Sequence, residues 1–279
     1  MAAQAAPLSR GLTLGVTVFA YPENFVTKRK ISHTTTSAKT RATAMLQRQH
    51  IPPNVVRNPM LTNMIEWFRN ITWSKDIEET FEQKLKRARG GYSKAQYLRM
   101  QASYLLDTED FGNIGEKLMI RLFHEFPNES FSVIFGHEQL GDYYTEKGQF
   151  DLAEAEYKIV VEYYHSQNRG GTTGLADIKL ADLYLCTEQN QKFEFAYKLI
   201  TDDFIKSKGR LNLNSDKYFY YLTLARLSNR LGYISNSKEY ARLAMSLSEV
   251  VEPQFARHKT VGLVNAKKNE LKELELILK

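Results

Sequence analysis

LGDYYTEKGQFDLAEAEY, residues 140–157, holds two apolar runs of helical period on either side of a Lys147-Gly148 turn. Apolar side chains three and four apart share one face of a helix. The small residues Gly141 and Ala153 recur where two such helices would touch. The stretch therefore reads as a helix hairpin, and the question is whether it repeats.

It does, loosely. Upstream, Ile65, Phe68, Ile77, Phe81 and Leu85 fall near helical spacing. Ser74 is a good N-cap for the helix that follows. Asp76, Glu78 and Glu79 come early in it, Lys84, Lys86, Arg87 and Arg89 come late, and Gly90-Gly91 ends it. That order complements the helix dipole. Downstream the chain breaks into paired helical runs joined by short polar or Gly-containing turns, with no alternating strand pattern. The tail NAKKNELKELELILK sets Leu271, Leu274 and Leu278 on one face and reads as a capping helix.

Within residues 134–165 the hairpin resembles a tetratricopeptide repeat, a helix–turn–helix unit of about 34 residues. With Ile134 as the first position, Leu140 and Gly141 are the seventh and eighth, and Tyr144 is the eleventh. Gly148 is the turn, Ala153 the twentieth and Tyr157 the twenty-fourth. His137, Val160 and His165 depart from the pattern. Units counted from Gln96, Gly174 and Tyr218 match more weakly; in the third, Phe193 or Ala196 takes the small position. Unit starts lie 38, 40 and 44 residues apart, so the links are long. The resemblance covers roughly residues 92–250. It implies an all-α fold: a right-handed superhelical array of about four divergent hairpins with a C-terminal capping helix. One hairpin cannot bury its apolar face alone, so neighbours must supply the core.

Charge separates the chain into two parts. Of 38 Lys and Arg and 32 Asp and Glu, eight and one fall in residues 1–60, which leaves residues 61–279 a net charge of −1. The basic balance therefore belongs to the first segment, and the body offers no basic face for nucleic acid. Residues 1–60 are Ala/Ser/Thr-rich, and four of the seven Pro fall in the first 53 residues. Three readings stay open for them: an organelle transit peptide, a secretory signal built on Arg10 and GLTLGVTVFAY, or a disordered N-terminus outside the fold. Residues 61–279 form the expected helical domain. No apolar run reaches the roughly eighteen residues that a membrane-spanning helix needs. A single cysteine, Cys186, excludes an intramolecular disulfide and a Cys-cluster zinc site. The expected location is cytoplasmic, or an organelle if the first segment is a transit peptide.

Motifs for catalysis mostly fail. His124-Glu125 and His137-Glu138 each begin a zinc-protease pattern, but Asn128 and Gly141 stand where the second His is required. No Gly-rich loop precedes Gly-Lys-Ser/Thr. Cys186 ends a buried-looking helix with nothing nearby to depress its pKa. No enzyme, metal or cofactor is expected. Two local features fit an anion: Arg169 with Gly170, Gly171 and two Thr at a helix start, and the run Arg257, His258, Lys259. Each also fits an ordinary link between helices.

The resemblance further implies a concave groove lined by the second, fifth, ninth and twelfth residues of each unit. Those positions are Tyr97, Met100, Tyr104 and Asp107; Phe135, Glu138, Asp142 and Thr145; Leu175, Ile178, Asp182 and Leu185; and Phe219, Leu222, Arg226 and Asn229. The expected role is a protein-interaction adaptor that captures a peptide or helix of a partner. The alternative is a regulatory receptor switched by a small peptide or anionic ligand. Glu138, Asp142 and Asp182 beside Phe135, Ile178 and Tyr104 would favour a basic, apolar ligand. They would equally serve as partners for Lys or Arg on neighbouring helices.

Overall fold

Capping and glycine placement divide the body into its helices. The computed structural model describes residues 66–166 and 169–279, which belong to one compact unit. The expectations for residues 1–60 lie outside the described residues. Ser74 begins α1, Lys75–Arg87, by accepting a hydrogen bond from the Ile77 amide at 3.3 Å. Acids occupy its first turn and cations its last. Then follow α2 (Gly91–Leu106), α3 (Gly112–Glu125), α4 (Ser130–Glu146), α5 (Phe150–Ser166) and α6 (Ala176–Cys186). A 3-10 turn, Asn190–Lys192, leads into α7, Phe193–Lys198, which continues through a π-turn, Leu199–Asp203, to Phe204–Lys206. The chain closes with α8 (Asn214–Arg230), α9 (Ile234–Ser248) and α10 (Lys268–Leu278). No strand occurs among the described residues.

The helices pack as consecutive hairpins: α2 on α3, α4 on α5, α6 on α7, α8 on α9. First helices also meet each other, α2 against α4 and α6 against α8, while α5 packs on α6. Gly148 and Gly232 turn two hairpins with φ of 70° and 78°, a region that L side chains avoid. Small residues let the helices cross. A Cβ on Gly141 would stand 2.6 Å from the Tyr157 ring, and one on Gly115 would stand 2.7 Å from the Ala102 carbonyl oxygen and the Leu106 nitrogen. Ala153 is completely buried. In the third hairpin both Phe193 and Ala196 are buried behind the 3-10 turn.

Both ends are closed by the chain itself. Before α1, Trp67 and Phe68 lie on Tyr97 with ring centroids 4.8 and 4.7 Å away. The fully buried Gln101 clamps that segment, accepting from the Asn70 amide at 3.0 Å and donating to the Asn70 carbonyl at 2.8 Å. At the other end α10 buries Leu274 and Ile277 against Tyr218, Leu222, Ala225, Ala241 and Ala244. Leu271 and Leu278 are only half-buried, and Ile277 joins Leu274 as the second buried residue of α10.

Gly115→Ala tests the crossing, because two effects oppose each other there. Helix propensity alone favours Ala by about 1 kcal/mol. The backbone atoms of Ala102 and Leu106 cannot give way, and overpacking costs about 1–3 kcal/mol. A net loss of stability is expected in urea denaturation; a stabilised variant would refute the close crossing.

Candidate functional site

Glu138 and Asp142 lie one turn apart on α4, and both face Lys179 on α6. The ammonium is 2.8 Å from Glu138 and 3.0 Å from Asp142. Glu138, which has no exposed surface, also accepts from the Thr173 amide at 2.8 Å and from the Thr173 hydroxyl. Tyr157 donates its hydroxyl to Asp142 at 2.8 Å. Burial alone would lower the Lys179 pKa, but Asp142 and Glu138 together raise it, so the ammonium stays charged. The expectation of solvent-facing groove acids is corrected here. These carboxylates join two first helices inside the protein.

Asp182 is also interior, 3% exposed, with Arg226 of α8 at 3.6 Å. Arg226 divides its charge, reaching Glu273 of α10 at 2.9 Å. Burial outweighs the attraction of that shared and distant guanidinium, and the Asp182 pKa is pushed up to about 7. Glu138, Asp142 and Asp182 are thus buried rather than presented to a ligand.

Arg169 is likewise committed. It donates to Asp177 at 2.5 and 3.2 Å, to the Gly174 carbonyl at 2.8 Å and to the Ser207 hydroxyl at 2.7 Å. The Tyr164 and Phe204 rings sandwich it at 4.4 and 4.5 Å. It therefore pins the link before α6, and the geometry does not fit an anion site. Asp177 needs that partner, because burial raises its pKa against the pull of Arg169. Arg257, His258 and Lys259 are exposed on the link between α9 and α10.

The remaining groove positions divide. Ile178 and Leu222 are core. Tyr97 lies under Trp67 and Phe68, and Phe135 lies under the Arg99 guanidinium at 4.6 Å. Met100, Tyr104 and Phe219 are half-buried. At the C-terminal end, groove positions border a cleft. There Leu185, Arg226 and Asn229 line a cleft of about 460 Å³, closed on its far side by α10 through Asn269, Lys272 and Leu276. Cys186 and Arg230 also face it.

The periodicity of α10 marked it as a cap, but a pattern of burial does not show that its polar face completes a cleft. Lys179 carried a readable signal: with Asp177 and Asp182 it is one of three charges within the otherwise apolar run LADIKLADLYL, and charges so placed point to buried partners. His137, in place of the usual aromatic, stacks on Phe123 at 4.0 Å and contacts Glu156 at 2.6 Å, which explains it as packing. Among the described residues no three His, Cys, Asp or Glu are grouped to hold a metal ion. Neither a family model, nor a curated protein, nor a solved structure matches the chain.

Two stability measurements check this account. Lys179→Met leaves two carboxylates buried around an apolar side chain and should cost about 3–5 kcal/mol; a loss below ~1 kcal/mol would mean that water reaches the pair. For Asp182, the folded pKa near 7 exceeds the ordinary 3.8, so its contribution to stability is present in acid and lost as pH rises between those values. Asp182→Asn should therefore gain stability relative to the native chain across that window. A pH-independent difference would refute the raised pKa.

Proposed function

We propose that this chain is a non-catalytic adaptor of the tetratricopeptide-repeat kind, an array of divergent hairpins that captures a segment of another protein. The observation that carries this reading is the coincidence of two independent assignments. The repeat resemblance marks Leu185, Arg226 and Asn229 as ligand-facing, and the cleft beside α10 is lined by all three. Leu276 is two-thirds exposed and Arg230 about half exposed, so side chains of a partner have direct access. An apolar floor with a polar rim is the usual arrangement of a small interaction patch. Among the described residues no helix is long and apolar enough to cross a membrane. The small-ligand receptor loses its support, because Arg169 is engaged by Asp177 and Arg257 lies on an open link.

A photo-crosslinking residue at Asn229 should form adducts with a protein partner in an extract of the source cells. The same residue at Arg242, exposed on α9, should not. Equal labelling from both positions, or none from Asn229, would overturn the assignment.

A further inference from the structure

We propose that the cleft beside α10 selects an acidic segment, engaging side-chain carboxylates with a large apolar residue next to them. This inference rests on the adaptor reading and narrows its partner. The argument is a balance of engaged and free groups. Glu273 is taken by Arg226 at 2.9 Å. Glu270 accepts from the Tyr218 hydroxyl and from the Lys267 amide, each at 3.1 Å. Arg226 in turn is shared between Asp182 and Glu273. The acids that line the cleft are thus committed, and so is its most buried cation.

What remains is a ring of donors. Lys272 on α10 has no ion-pair partner among the described residues. Arg230 on α8 has only Glu188, 3.8 Å away, and both side chains are about half exposed or more. Such a pair contributes little and is readily exchanged. The side-chain amides of Asn229 and Asn269 make no hydrogen bond among the described residues, and each can donate twice. Leu185 and Leu276 supply apolar surface between these groups.

A basic segment would meet Arg230 and Lys272 while Glu270 and Glu273 are already engaged, and like-charge juxtaposition is a strong source of discrimination. An acidic one would meet both cations and find amide donors for the remaining carboxylate oxygens. The cations come from opposite walls, Arg230 from α8 and Lys272 from α10. That placement fits several carboxylates spread along a segment better than a single terminal one.

The test uses the full chain as bait for a peptide library displayed on phage. Retained peptides should be enriched in Asp or Glu beside Leu, Ile or Phe. Binding of a selected synthetic peptide should weaken at least about tenfold for Arg230→Glu with Lys272→Glu, and little for Arg242→Glu on α9. Amidation of the peptide C-terminus should leave binding unchanged. Enrichment of basic peptides, an unaffected double variant with intact helical content, or loss on amidation would each overturn the acidic side-chain specificity and leave the adaptor reading standing. Retention of no peptide would overturn both.

Discussion

Tyr157 carries the contact on which the middle of the fold depends. Its ring lies on Gly141 where α4 and α5 cross, and its hydroxyl binds Asp142, which in turn holds Lys179 of the next hairpin. One side chain thus couples the packing inside a hairpin to the polar joint between hairpins. The apolar part of that coupling tolerates no added Cβ at Gly141 unless the ring moves. The polar part fixes the ring, since a fully buried hydroxyl must keep a partner.

Such a joint is a poor source of net stability. Desolvating two carboxylates and an ammonium costs several kcal/mol per ion, and their attraction returns it only when every remaining donor and acceptor is served. Here Thr173 and Tyr157 serve the acids. An apolar interface between α4 and α6 would slide more freely, because hydrophobic burial is non-directional. The arrangement Glu138–Lys179–Asp142 admits one register. Arg169 acts similarly on the link, where Asp177, Gly174 and Ser207 hold a stretch with two positive-φ glycines that would otherwise have many conformations.

How much of this was legible follows from the range of each interaction. Gly141, Gly148, Ala153 and Ser74 act within one hairpin or one turn, so their spacing in the chain states their role. The helical class and the capping tail followed from the same local periodicity. The pairing of Asp142 with Lys179 spans 37 residues, and that of Arg226 with Glu273 spans 47. Nothing local distinguishes an acid that faces a groove from one that faces the neighbouring helix. The aromatics were ambiguous for the same reason. Tyr97 stands at a position that the repeat resemblance marks as ligand-facing, yet Trp67 and Phe68 cover it from a non-helical segment whose packing has no periodic signature.

The fate of those long-range pairs determines what the molecule can present. An interior acid without a cation would repel acidic ligands through a low-dielectric interior; an interior acid with one is electrostatically quiet at the surface. Lys179 offsets part of the charge of Glu138 and Asp142 in the middle of the fold, and Arg226 part of that of Asp182 and Glu273 at its end. Charge that acts on a partner is therefore only the charge left over from folding. In the cleft that remainder is Arg230 and Lys272, drawn from two helices that meet only because α10 docks on α8 and α9. The capping helix thus both ends the core and completes the cleft beside it.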